Sequence, residues 1–124
     1  MSGITLDTGA LLALERRRLR MRQILEHALA NDLPITVPAD VVAEWWRGRT
    51  DVADAILESV DVEPLTEGLA KIAGEALARV RGATVVDAVV MASAAARGDV
   101  VFSSDVADLE RLRAHFPGVR VLGV

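Results

Sequence analysis

Apolar residues recur along this chain in two alternating rhythms. Short apolar runs at Ile4-Thr5-Leu6, Pro34-Ile35-Thr36-Val37-Pro38, residues 60–65, Asp99-Val100-Val101-Phe102-Ser103 and Val119-Arg120-Val121-Leu122 have the length and bounding residues of strands. Between them the apolar positions recur every three to four residues, as on an amphipathic helix. Residues 10–14 read as a short buried helix with Thr8 as its cap. Leu19, Ile24, Leu25, Ala28 and Leu29 mark a second helix ending near Asn31-Asp32. Asp40 can cap a third, on which Val41, Val42, Trp45 and Trp46 form one arc with Glu44 at its edge, and Gly48 closes it. A short helical piece follows over residues 50–59, capped by Thr50 or Asp51. Thr66 caps a longer helix to about residue 81, with Leu69, Ile72, Ala73, Ala76, Leu77 and Val80 inward and Gly82 as its stop. Thr84-Val85-Val86-Asp87-Ala88-Val89-Val90-Met91-Ala92-Ser93-Ala94-Ala95-Ala96 is apolar nearly all round, so it belongs at the centre, ended by Gly98. A last helix with Leu109 and Leu112 inward runs to about Phe116. Strands alternating with helices in this way predict an α/β fold with parallel strands.

Composition narrows the class. At 124 residues and 52% hydrophobic, with positive mean hydropathy, one domain over residues 1–124 with its own core is expected. No Cys occurs, which excludes disulfides and thiolate metal sites. No basic segment followed by an apolar run opens the chain, and the apolar run 83–96 is interrupted by Asp87 and too short to span a bilayer. A cytoplasmic protein with no membrane association is the expectation. The net charge of −4 argues against nonspecific coating of nucleic acid. The basic run Arg16, Arg17 and Arg18, with Arg20 and Arg22 behind it, reads either as a solvated face or as a rim that contacts RNA phosphates. His27 and His115 have no partners at ligand spacing.

The acids change the picture more. Asp7 follows the first strand directly, and Asp105 follows the fourth. Glu44 and Asp87 lie near the starts of helices that follow strands, and open parallel sheets gather such positions at the strands' carboxyl ends. Each acid taken alone has a structural reading: Thr84-x-x-Asp87 has the form of a capping box, and Asp105 or Ser104 can cap the last helix, with Asp108 in its first turn. Asp87, however, shares its helix face with Val90, Met91 and Ala94, a costly place for a carboxylate without a partner. Carboxylates clustered without cations repel one another and raise one another's pKa. Hard divalent cations are the natural remedy, and two ions about 3.5–4 Å apart can activate water and stabilise a leaving oxygen in phosphodiester cleavage.

Four segments together resemble the PIN-domain family, in particular the VapC-type ribonuclease toxins of bacterial toxin–antitoxin pairs. They are Leu6-Asp7-Thr8-Gly9-Ala10-Leu11-Leu12, Pro38-Ala39-Asp40-Val41-Val42-Ala43-Glu44, Val86-Asp87-Ala88-Val89-Val90-Met91-Ala92 and Ser103-Ser104-Asp105-Val106-Ala107-Asp108-Leu109. The resemblance implies a three-layer α/β/α fold with a central, mostly parallel sheet of about five short strands. It implies a metal-dependent endoribonuclease in which Asp7, Glu44, Asp87 and Asp105 are catalytic and, with Asp108, bind one or two Mg²⁺ or Mn²⁺ ions. It also implies an RNA substrate, a small cognate antitoxin and a homodimer. Gly9 departs from the family's usual Ser or Asn, which removes a small polar contact there, and residues 50–65 are short and irregular. Two rival readings compete. Asp7-Thr8-Gly9-Ala10 matches the nucleophile motif of retroviral-type aspartic proteases, a carboxylate dyad on an all-β fold. A non-catalytic α/β module would use the same acids as helix caps.

Overall fold

A computed structural model describes residues 2–124 and places the strands as a five-stranded, wholly parallel sheet. The elements are β1 (Ile4–Leu6), α1 (Thr8–Glu15), α2 (Leu19–Ala30), β2 (Ile35–Pro38), α3 (Ala39–Trp45), α4 (Asp51–Glu58), β3 (Asp61–Glu63), α5 (Glu67–Arg79), α6 (Val85–Arg97), β4 (Val100–Ser103), α7 (Val106–Leu112) and β5 (Arg120–Gly123). The strand order is β3-β2-β1-β4-β5. The chain steps outward from β1 through β2 to β3, then crosses back to β4 and β5 on the other side. The β1/β4 boundary is therefore the topological switch point, where open α/β sheets carry their ligands.

Right-handed crossovers put the helices of the two halves on opposite faces of such a sheet. Packing agrees: α1 lies on β1 and β4 with α2, α3 and α4 around it, whereas α6 lies on β1, β2 and β4 with α5 and α7 beside it. Leu6, Leu11, Val37, Val41, Met91, Val101, Leu109 and Leu112 are among the fully buried side chains. Residues Ala88 to Ala94 of α6 are buried without exception, as expected of a central helix. Thr84 caps it through the Asp87 amide, and Gly98, at φ +72°, ends it in the left-handed region that a side chain disfavours.

Several boundaries differ from the expected ones. The cap of α1 is Asp7, not Thr8: an Asp7 carboxylate oxygen accepts from the Ala10 amide at 2.9 Å, and Thr8 becomes the first helical residue. Pro38, not Asp40, stands at the cap position of α3, because the strand's extended backbone continues into the helix without a side-chain cap. That helix ends at Trp45, since Trp46 is already extended, and Gly48 lies beyond it. On α2 the inward stripe is Met21 and Ala28, while Leu19 and Leu29 face outward. The helix starts at Leu19 as expected, but the stripe that packs on the core runs through Met21, Ile24, Leu25 and Ala28.

Candidate functional site

The carboxyl end of β1 delivers Asp7 to the switch point. Its backbone amide bonds the Phe102 carbonyl of β4, so strand pairing itself places the residue, and its side chain is 7% exposed. Ser103, the last residue of β4, joins two of the acids. Its hydroxyl accepts the Asp105 amide at 2.8 Å and lies near enough to the Asp7 carboxylate to favour the charged form. Burial pushes the Asp7 carboxyl above its ordinary range, and the charges of Asp87 and Asp105 push it further, against the Ser103 hydroxyl and the bond from the Ala10 amide.

The other acids reach the same place from three helices. Glu44, on the exposed face of α3, accepts a short hydrogen bond from the Thr8 hydroxyl. Asp87, half-buried at the start of α6, is raised by burial and by the charges of Asp108, Glu44 and Asp105, with Thr84 partly offsetting. Asp105 occupies the cap position of α7 yet makes no capping bond. Its carboxyl is raised chiefly by the hydrogen bond it shares with the Asp108 carboxyl, while Arg111, 3.9 Å from Asp108, pulls it down. The five acids singled out in the sequence thus form a chain of neighbours, Asp7 feeling Asp87 and Asp105, Asp87 feeling Glu44, Asp105 and Asp108, and Asp105 feeling Asp108.

A sixth, Asp40, stands next to them on α3. Its carboxylate oxygens are buried and make no hydrogen bond of good geometry. Burial raises it and the Glu44 charge adds to this, while the amides of Asp40 and Val41 offset only part. Sequence reasoning took Asp40 for a cap and missed the roles of Thr8 and Ser103. Thr8 adjoins Asp7 and Ser103 lies two residues before Asp105, and this nearness is the one signal that could have found them.

Every donor in the cluster is a hard oxygen, which fits Mg²⁺ or Mn²⁺ better than zinc. As the side chains stand, no three acids among the described residues converge closely enough to hold a common ion. Glu44 and Asp105 are exposed, so rotation of their side chains is unhindered by packing.

The arginine run divides. Arg16 and Arg18 line one hollow with Gly9 and Ser104, whereas Arg17 lines another with Leu14, Leu25 and Asp51. His27 is exposed, and His115 packs edge-on against Phe116.

A parallel α/β/α sheet in which Asp7 opens a helix excludes the all-β aspartic-protease reading. The PIN domain family model matches residues 4–114, and the chain belongs to that family, whose members are nucleases that generally use divalent metal ions. No curated protein matches the sequence at a significant level. Among solved structures, the chain is similar to one in VapBC2 from Rickettsia felis bound to a DNA fragment from its promoter, with 14% identity, 98% of each chain covered and a TM-score of 0.78. It is similar to one in DNA-bound VapBC from Salmonella typhimurium, with 16% identity, 99% of this chain and 98% of that one covered and a TM-score of 0.79. A chain of FitAB bound to the IR36 DNA fragment shares 19% identity over 97% and 94%, with a TM-score of 0.70.

Proposed function

We propose that this chain is a divalent-metal-dependent endoribonuclease and the toxin of a toxin–antitoxin pair. The observation that supports the reading is a run of neighbouring acids near the β1/β4 switch point, Asp7, Glu44, Asp87, Asp105 and Asp108, with Asp7 and Asp87 raised chiefly by burial and Asp105 chiefly by its hydrogen bond with Asp108. Proteins keep such an unfavourable cluster where a cation or substrate relieves it. Asp7, Glu44, Asp87 and Asp105, with Asp108 beside them, would hold one or two Mg²⁺ or Mn²⁺ ions. When bound, the metal supplies an activated water and charge stabilisation at the leaving oxygen of an RNA phosphodiester.

The chain's own groups prepare that site. The Ala10 amide orients Asp7, Ser103 fixes the backbone of Asp105, and Thr8 holds Glu44. Such supporting hydrogen bonds set ligand orientation. The cap-only alternative is weakened at Asp105, which occupies a cap position without using it. A cognate antitoxin is supported by the kinship of the fold with VapBC and FitAB chains, and a homodimer and a cytoplasmic site of action belong to the same proposal. No described helix is long and apolar enough to cross a membrane.

Cleavage of single-stranded RNA in Mn²⁺ and in EDTA tests this reading. The wild type cuts only with metal, and folded Asp7→Asn loses more than about a hundredfold, since even outer-shell partners of metals are worth 10- to 100-fold. Full cleavage by well-folded Asp7→Asn would overturn the assignment.

A further inference from the structure

The basic run after α1 points in two directions because of one residue. Arg16 closes α1, Arg17 takes a left-handed φ of +57°, and Arg18 precedes α2 in extended conformation. That reversal sends Arg17 to a hollow of about 460 Å³ between α1, α2 and α4. Arg16 and Arg18 line a separate cavity of about 430 Å³, whose other walls include Gly9, Leu12, Leu19 and Ser104.

Two of the residues lining this second cavity are chain neighbours of the acidic site. Gly9 lies two residues past Asp7, and Ser104 stands between Ser103 and Asp105. A Cβ on Gly9 would lie 1.9 Å from the Ser104 Oγ, so the space that a larger residue 9 would fill is held by the Ser104 hydroxyl. Among the described residues Arg16 and Arg18 form no ion pair, whereas the Arg20 Nε donates to the Gly123 carbonyl at 2.9 Å. Two uncommitted guanidinium groups beside a hydroxyl, in a chain of net charge −4, form a local anion site next to a cluster of opposite sign. The volume falls in the range of small-molecule pockets, and Leu12 and Leu19 offer an apolar wall, Leu19 being 66% exposed.

We propose that this cavity is a subsite for one nucleotide of single-stranded RNA adjacent to the bond being cut. Arg16 and Arg18 grip its phosphate, and Leu19 packs on its base or ribose. Arg17 takes no part. The subsite rests on the ribonuclease reading above and adds to it which residues carry the substrate.

Binding of a labelled single-stranded oligoribonucleotide of about ten residues, a typical site size, is followed by anisotropy in EDTA, so that neither metal nor cleavage enters the readout. Arg16→Gln/Arg18→Gln weakens binding and flattens the slope of log K against log salt by about 0.7 if the two share one phosphate and about 1.4 if they take two. Arg17→Gln/Arg22→Gln, on the other hollow, binds like wild type. Leu19→Glu, whose new charge suits the first turn of α2 and so spares the fold, weakens binding as well. An Arg16→Gln/Arg18→Gln protein with the wild-type slope, or an equal loss in the Arg17/Arg22 pair, overturns the subsite. If that happens while wild type still cleaves RNA in Mn²⁺, only the subsite fails. If no protein cleaves RNA, the ribonuclease reading fails and takes the subsite with it.

Discussion

Two groups of acids lie against β1, one around Thr5 and one beyond its carboxyl end at Asp7, and they are treated in opposite ways. Around Thr5, Asp99 is 3% exposed but fully engaged. It accepts from the Gly3 amide and the Thr5 hydroxyl, each at 2.9 Å, and pairs with Arg97 at the same distance. Arg97 also binds Glu63, Thr5 and Ser93, and Ser93 in turn donates to Glu63. Two residues further along the chain, Asp7 faces other acids and no arginine, and its carboxyl is raised. The chain sets a guanidinium directly against Asp99 and Glu63 but none against Asp7 or Asp87, with Arg111 only at the edge of that second cluster, 3.9 Å from Asp108, so most of its charge is left for something else to neutralise. Buried charge that is paired serves the fold, whereas buried charge left in conflict marks a site.

Breaking the paired side should produce the largest effect. Arg97→Ala strips the counter-charge from buried Asp99, and removal of one partner of such a pair costs about 3 kcal/mol or more. In a domain of this size that lowers the thermal midpoint by roughly 10 °C. The loss should be equal in EDTA and in Mn²⁺, because this network includes none of the acids proposed to bind metal. A midpoint within 2–3 °C of wild type, that is about 1 kcal/mol or less, would mean that the network is decorative.

On the other side, effects should appear in activity before stability. Thr8→Ala releases Glu44 and is expected to lower metal-dependent cleavage by about tenfold, the scale of an outer-shell contact. Its midpoint should hardly move, since an exposed hydroxyl–carboxylate bond contributes little. A loss of stability without loss of rate would recast Thr8 as a structural tie between α1 and α3.

The smallest effect is one of pH. Raised carboxyl pKa values mean that the folded chain binds more protons than the unfolded chain, from the ordinary carboxylate range up to the raised values. Stability therefore falls as pH rises through that window, and the penalty is fully present above it. Asp7→Asn keeps an acceptor for the Ala10 amide and removes one such penalty. Without metal it should be more stable than wild type at neutral pH, by a margin that shrinks as pH falls into the ordinary carboxylate range. Urea midpoints across pH check this, and an advantage that grows towards acid would contradict it.

The strands were legible because each short apolar run is bounded by Gly, Pro or an acid, and α6 because its apolar character goes all the way round. Asp7 and Asp105 were legible for a related reason, as acids placed directly at strand ends. The Arg97–Asp99–Glu63 network was not, since an Arg near a helix end and an Asp beside a Gly read locally as ordinary helix-ending polarity. Only the parallel pairing of β1 with β2 and β4 brings Thr5 beneath them. The split of the arginine run hangs on the left-handed turn at Arg17, a choice of backbone conformation that no side-chain pattern announces. Met21 was legible but missed: with Ile24, Leu25 and Ala28 it completes an i, i+3, i+4, i+7 stripe, and Leu19 was put in its place.

Thermal unfolding of wild type and Asp87→Ala, each in EDTA and in Mn²⁺, tests most directly whether the unpaired acids form a cation site. The Thr84 hydroxyl caps α6 through the Asp87 amide, a bond the substitution leaves in place. Removing a repelled carboxylate should therefore leave metal-free stability unchanged or increased. Added Mn²⁺ should raise the wild-type midpoint by mass action, up to about 2.7 kcal/mol when the ion is a hundredfold above its Kd, and should raise the variant less. If Asp87→Ala instead loses about 1 kcal/mol in both buffers, as a helix cap would, and Mn²⁺ moves neither protein, the acids are structural and the metal site does not exist.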